Sequence, residues 1–284
     1  PNLSLKEQFE ALQRCVSLLR PKLMLTEIEF ELMSALSIVG CSCPIFFLSA
    51  GYYNLPWYDK LGLFDLFKKN NVSKRSADIF YFPMSVDKSI LAPSVDRTQV
   101  EQMRAELGFS NEDFVFGCFA RKEKFSDDYI NLCIRILKDI PSAKLLIAGP
   151  NEDSHIKSRL ASEGKNNRIK VLGISNVHIL GQLMDVGLET FPCASGSSIL
   201  ELMAKGKPVV SIAEYEATDI HKSLRVPDHV VRDSTRAFSK ISELSHSSVL
   251  RLQTGKKSIS VIEIAELDSR SKFSAAVDEM LELY

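Results

Sequence analysis

The sequence predicts an α/β protein made of two doubly wound domains with parallel sheets. Short, continuous apolar segments alternate with amphipathic segments at helical spacing along most of the chain. The apolar segments lack polar alternation, which indicates strands that helices cover on both faces. A Pro-containing stretch at residues 92–96 interrupts the alternation. We therefore expect residues 1–93 to form one domain and residues 94–284 to form the second.

Composition narrows the function classes. The 284 residues are 45% hydrophobic and 25% charged, which is typical of a globular protein with a full core. Lys plus Arg (35) balance Asp plus Glu (36), so bulk charge does not predict binding to nucleic acid or a membrane surface. No apolar run approaches the roughly 20 residues that span a bilayer. We expect a cytoplasmic protein, without a transmembrane segment, whose anion sites are local.

The six cysteines show no paired Cys-x-x-Cys spacing. Most lie inside apolar strand or helix patterns, so we expect reduced core residues. The pair Cys41 and Cys43 is a weak metal candidate that lacks obvious partner ligands.

The first domain opens with a helix signal and continues with β/α units. Ser4 and Glu7 form a capping-box pattern before an amphipathic segment. Apolar runs predict strands at residues 22–26, 44–49 and 78–82, and a helix is predicted at residues 29–39. Because the chain starts at a proline in the middle of this alternation, we expect this domain to be incomplete, with earlier strands in upstream sequence or in a partner chain.

An aromatic loop follows the second predicted strand. Residues 49–58 place Trp57 and three tyrosines around a glycine and a proline. Such a loop lines a ligand cleft or folds its aromatic rings onto the surface, and the sequence leaves both open.

The second domain alternates regularly. The predicted helices are residues 98–107, 127–139, 153–163 and 198–205, and the predicted strands are residues 114–120, 143–148, 168–172, 186–190 and 209–212. The tail from residue 234 is predicted to be helical, and residues 269–284 are expected to pack back on the first domain or to form a plain surface helix. A ligand of such a sheet lies beyond the carboxyl ends of its strands.

A Ser/Gly loop follows one of these strand ends. Ser195, Gly196, Ser197 and Ser198 bring small side chains and backbone N–H groups to a helix start, which attracts phosphate and suits a diphosphate. Glu201 lies one turn further along the same helix and can accept hydrogen bonds from ribose hydroxyls. The alternative is an ordinary helix after a flexible loop.

Two other strand ends carry candidate ligand-binding residues. Arg121 and Lys124 follow the strand at 114–120, and His178 follows the strand at 168–172. Taken singly, these residues fit a solvated basic turn and a histidine without a special role. Because all three strand ends meet at one sheet edge, together they favour a nucleotide site.

Two segments of the second domain resemble motifs of the inverting two-Rossmann (GT-B type) glycosyltransferases. The first segment is residues 119–141, which has Lys124 in an F-x4-K pattern and ends in Ile-Leu-Lys-Asp-Ile-Pro. The second segment is residues 181–208, which begins with Gly-Gln-Leu-Met-Asp and continues with Leu188, Cys193, Gly206 and Pro208. The resemblance is to the O-linked N-acetylglucosamine transferases and the bacterial adhesin glycosyltransferases.

That resemblance implies roles for single residues. Lys124 would hold the donor diphosphate as leaving group, Arg121 would make a neighbouring donor contact, and His178 would stack near the base. Ser197 and Ser198 stand where the family has two threonines on the diphosphate. Glu201 stands where the family has a ribose-binding Asp.

The resemblance implies transfer of a sugar from a nucleoside-diphosphate donor, most expectedly a UDP-sugar, to a protein or glycan acceptor. Retaining relatives place a Glu where this chain has Cys193, which favours inversion. The sequence has no Asp-x-Asp pair, so we expect metal independence and no cofactor. The catalytic base is not identified; Asp59 and residues upstream of Pro1 are candidates.

Two alternatives remain at this stage. No histidine precedes His155 and no tandem helical repeats are visible, whereas relatives with a protein acceptor carry a His in the first domain. These features leave the acceptor class open. The short first domain, which has no recognisable catalytic base, fits a non-catalytic partner subunit of a glycosyltransferase. A nucleotide-sugar epimerase of the same fold is the other alternative.

Overall fold

The computed structural model describes residues 4–20, 24–26, 45–49, 60–64, 79–82, 86–149, 155–161, 166–194, 196–213 and 224–282. The chain divides into two compact units. The first comprises Pro1–Ser85 and Leu267–Tyr284, and the second comprises Val86–Glu266. The predicted helix at 29–39, the pair Cys41 and Cys43, the aromatic loop at 50–58 and Asp59 lie outside the described residues.

The first unit contains the predicted opening helix and a parallel sheet. Helix α1 (Leu5–Leu19) begins with the expected capping box, in which the Ser4 backbone N–H donates to Glu7 Oε2 at 2.7 Å. The strands pair in the order β1, β2, β3, β4, with bounds Met24–Thr26, Ile45–Ser49, Lys60–Phe64 and Ile79–Phe82. Strand β3 was missed because Lys60 and Gly62 break its apolar run.

The second unit is built on a six-stranded parallel sheet in the order β10, β9, β8, β5, β6, β7. The bounds are β5 Phe114–Phe119, β6 Ala143–Ala148, β7 Ile169–Leu172, β8 Val186–Leu188, β9 Val209–Ile212 and β10 Val230–Val231. The predicted strand at 186–190 was two residues too long, although the Glu189 backbone N–H still donates to the Val210 carbonyl at 2.9 Å. The two-residue strand β10 is too short to leave a periodic signal.

Helices of this unit lie at the four predicted positions and in the predicted helical tail, and a further helix at Lys88–Leu91 was not predicted. Their bounds are α2 Lys88–Leu91, α3 Arg97–Glu106, α4 Asp127–Asp139, α5 His155–Ala161, α6 Val177–Leu183, α7 Ser197–Ala204, α8 Ser234–His246 and α9 Ser248–Glu282. Ser126 caps α4 by accepting from the Tyr129 backbone N–H, and Pro141 follows the end of this helix. None of the helices in these described ranges is long and apolar enough to cross a membrane.

The core of the second unit lies between the sheet and its helices. Phe116, Cys118, Tyr129 and Ile136 are fully or almost fully buried and belong to one hydrophobic cluster. Among the four cysteines of the described residues, the expectation that cysteines fill the core is confirmed for Cys118 and Cys133. It was wrong for Cys15, which lies on an exposed part of α1, and for Cys193, which lies in an exposed loop.

Candidate functional site

Helix α7 and the loop before it form the centre of the candidate site. Gly196 caps the helix with φ 63° and ψ −121°, a conformation open to glycine and strained for other residues, and no side chain caps the helix from this position. Ile199 and Leu200 are buried, so the side chains of the first turn that remain accessible are those of Ser197 and Ser198. A helix start of this kind suits an anion.

Lys124 lies against the loop that leads into α7. The 3-10 helix Lys122–Lys124 follows β5, and Lys124 Nζ donates to the Ala194 carbonyl oxygen at 2.6 Å. In the sequence, Ala194 precedes Gly196 by two positions. The structure therefore brings the lysine next to the helix start, as the sequence predicts for two neighbouring strand ends.

Side chains at the start of α4 hold the loop in place. Ser126 Oγ donates to the Phe191 carbonyl at 2.6 Å, and the buried Tyr129 hydroxyl donates to the Leu188 carbonyl at 3.1 Å. Within the loop, Thr190 Oγ1 donates to the Cys193 carbonyl at 2.8 Å. These contacts fix the backbone that carries the Lys124 acceptor.

His178 begins a second helix at the same sheet edge. Asn176 caps α6 by accepting from the backbone N–H of His178 at 3.0 Å. His178 Nδ1 lies 3.3 Å from Lys205 Nζ, at the end of α7. Burial and the charge of Lys205 both lower the pKa of His178, which favours the neutral form of the ring.

Glu201 presents a carboxylate oxygen without a partner. Its side chain is half-buried, and Oε2 is buried with no hydrogen-bond donor among the described residues. Burial raises the pKa of this carboxyl, while Lys205 acts in the opposite direction. An unpaired buried acceptor is unfavourable in the free protein, so Glu201 is suited to receive hydroxyl donors from a ligand.

Lys205 is a site residue that the sequence reasoning missed. Its ammonium donates to the Leu91 carbonyl at 2.6 Å and to the Glu201 carbonyl at 3.2 Å, besides the contact with His178. Burial lowers the pKa of Lys205 to about 8. The i, i+4 spacing from Glu201 is the sequence signal that points to this residue.

One predicted site residue, Arg121, is not joined to the others by a described contact. Arg121 is exposed, and within the described part of the chain its side chain makes no hydrogen bond or ion pair with the candidate site. Ser195 lies outside the described residues. Within the same described ranges, no group of three or more His, Cys, Asp or Glu is placed to hold a metal ion.

The fold of the whole chain is similar to that of solved glycosyltransferases. A glycosyltransferase from Rickettsia africae matches with a TM-score of 0.72 at 12% identity, over 99% of this chain and 83% of that one. HepE from Anabaena, in complex with UDP and glucose, matches with a TM-score of 0.69 at 13% identity, over 99% and 83%. The pneumococcal O-GlcNAc transferase GtfA, in complex with UDP and GlcNAc, matches with a TM-score of 0.65 at 14% identity, over 95% and 60%.

The chain has the GT-B glycosyltransferase fold. The GT-B fold class expected from the sequence is thereby confirmed. Protein-family models and curated protein sequences gave no match. The GT-B likeness at these identities concerns the fold, and the roles of Arg121, Lys124, His178 and Glu201 stay predictions.

Proposed function

We propose that this GT-B chain is a glycosyltransferase that takes a sugar from a nucleoside-diphosphate donor, most expectedly a UDP-sugar. The observation that carries the proposal is the contact of Lys124 Nζ with the Ala194 carbonyl, 2.6 Å apart, at the start of α7. Cleavage of a sugar–diphosphate bond builds negative charge on the leaving oxygen. A fixed ammonium and the N–H groups of a helix start stabilise that charge more in the transition state than in the ground state.

The other side chains supply the rest of a nucleotide site. The unpartnered Oε2 of Glu201 lies one turn after Ser198 and accepts from ribose hydroxyls in this proposal. His178 offers a neutral ring for contact with the base. Solved neighbours of the same fold, HepE and GtfA, contain UDP, which supports uridine as the base.

The proposed transfer inverts the anomeric centre and needs no metal or cofactor. Cys193 stands where retaining relatives carry a Glu, and a thiol does not replace that carboxylate. Lys124 and the N–H groups at 197–198 supply positive charge for the leaving group without a divalent cation. The acceptor in this proposal is a protein or a glycan, and the base that deprotonates it is not assigned.

Calorimetric titration with UDP, GDP and ADP tests the donor site. We expect UDP to bind with micromolar affinity and Lys124→Ala to weaken binding at least about tenfold, or roughly 1.4 kcal/mol. Lys122→Ala is the matched control, since it removes an exposed charge from the same 3-10 helix. A folded protein that binds none of the three nucleotides would overturn the proposal.

Turnover distinguishes the alternatives. Consumption of a UDP-sugar with EDTA present, followed by NMR of the product anomer, tests metal independence and inversion together. UDP binding without turnover of any UDP-sugar, in the presence of peptide and glycan acceptors, would favour the non-catalytic partner subunit. Interconversion of free sugar epimers would favour the epimerase.

A further inference from the structure

Lys205 connects three helices through one ammonium group. Lys205 Nζ lies 2.6 Å from the carbonyl oxygen of Leu91, the last residue of α2, and 3.2 Å from the Glu201 carbonyl on its own helix. The third neighbour is Nδ1 of His178 on α6, at 3.3 Å. An ammonium carries three donors, and these three acceptors match them in number.

The stem of Lys205 is held as closely as its head group. It crosses α6 at Gly181, where an added Cβ would lie 2.9 Å from Lys205 Cδ and 3.2 Å from Cε. A contact under 3.0 Å would force the stem to shift, so the absence of a side chain at Gly181 lets the lysine reach His178. The packing therefore directs the ammonium inward, toward protein acceptors.

The charges around the ammonium act in opposite directions, and burial, which has the largest effect, lowers the pKa of Lys205. Glu201 on α7 favours the charged form of Lys205, and Lys207 opposes it. On α6 the titratable neighbour is His178, and on α2 the Lys88 ammonium is paired with Glu263 at 2.6 Å. Because two backbone carbonyls accept from Lys205, its remaining N–H points at the imidazole.

This arrangement determines what His178 offers to a ligand. A charged lysine only donates, so His178 Nδ1 accepts and the ring proton lies on Nε2. The backbone N–H of His178 also donates to Asn176 Oδ1 at 3.0 Å, which holds the backbone of the histidine in place. The contact with Lys205 thereby orients the ring and selects the tautomer with its proton on Nε2.

We propose that Lys205 is a positioning residue of the donor site, which orients His178 by donating to Nδ1 and keeps its ring neutral for contact with the nucleotide base. The consequence for nucleotide binding rests on the proposed function. The state of the His178 ring is a property of the free protein and is tested without any ligand.

The first experiment is an NMR titration of the histidine Cε1–H signals in the full chain, with His178 assigned from the His178→Gln variant. We expect the pKa of His178 to lie below its ordinary value in the wild type. It should rise in Lys205→Met, which keeps the stem and removes the charge. Lys122→Met, which removes an exposed charge from another helix, should leave it unchanged. An unchanged pKa of His178 in a folded Lys205→Met variant would overturn the proposal.

The second experiment is a double-mutant cycle on UDP binding. We expect Lys205→Met to weaken UDP binding about fivefold in the wild-type chain. In a chain that already carries His178→Gln, the same substitution should weaken UDP binding by less than about twofold further. If the double variant lost affinity for UDP by the product of the two single losses, Lys205 would not act through His178, and the proposal would be overturned. If Lys205→Met fails to fold, Lys205→Gln replaces it in both experiments. If the wild type binds no UDP, the proposed function fails, and the NMR titration still decides the role of Lys205.

Discussion

Arg225 and Glu189 form a bidentate ion pair in the interior of the second unit. Arg225 Nη2 donates to Glu189 Oε1 at 2.7 Å, and Nε donates to Oε2 at 3.0 Å. The two side chains are only 3% and 5% exposed. Glu189 directly follows β8, at the beginning of the loop that leads to Gly196 and α7. The pair therefore anchors the start of this loop, which carries the candidate donor site.

Removing one partner of this pair should be strongly destabilising. We expect Glu189→Ala to lower the free energy of unfolding by about 3–5 kcal/mol, because it leaves the guanidinium buried without a counter-ion. The measurement is urea unfolding at constant pH. Arg97→Ala, which breaks the exposed pair with Glu101, is the control and should leave the midpoint nearly unchanged. Equal effects of the two variants would contradict the account.

His229 should make the second unit sensitive to acid. Burial lowers the pKa of His229 to about 4, and Nδ1 has no partner among the described residues. Between pH 6.5 and 4 the unfolded chain binds more protons at this residue than the folded chain does. The free energy of unfolding should therefore fall as the pH drops through this window, by at most about 3 kcal/mol.

Unfolding curves at pH 7, 6 and 5 measure this contribution. His229→Gln should flatten the dependence on pH, whereas His246→Gln, at an exposed residue, should keep it. A wild-type slope that persists in His229→Gln would assign the acid sensitivity to other groups.

Gly196→Ala should show an effect on UDP binding that is distinct from its effect on the free energy of unfolding. Gly196 and Gly108 both have positive φ, 63° and 69°, and an added Cβ at either position meets no atom within 4 Å. We expect each Ala variant to lose about 1–2 kcal/mol from backbone strain alone. Only Gly196→Ala should weaken UDP binding, because only Gly196 caps α7 beside the Lys124 contact. Calorimetry on both variants checks this, and a similar loss of affinity in both would contradict it.

The rate at which the Cys193 thiol is modified should show whether UDP is bound next to the same loop. It is exposed, whereas Cys118 and Cys133 are buried, and burial raises the pKa of the Cys133 thiol. Iodoacetamide should modify Cys193 and Cys15 in the folded protein and leave the two buried thiols intact. Excess UDP should slow modification of Cys193 but not of Cys15, as followed by peptide mass spectrometry. Equal protection of both thiols would argue against a nucleotide at this loop.

Local signals account for much of the described fold. Helix α4 at Asp127–Asp139 and strand β6 at Ala143–Ala148 have the predicted bounds, because Ser126 caps the helix and Pro141 stops it before an apolar run. Strands β3 and β10 were missed. One is interrupted by Lys60 and Gly62, and the other has two residues, so their pairing rather than their composition makes them strands.

The sequence by itself determined the alternation of strands and helices and the helix start at Gly196–Ser198. These depend on periodicity, capping and spacing, which are properties of neighbouring residues. Only the tertiary structure showed the pairing of Glu189 with Arg225 and the contact of Lys205 with both Leu91 and His178. Those partners lie 36, 114 and 27 positions apart in the chain, so chain packing, and no local pattern, decides that they meet.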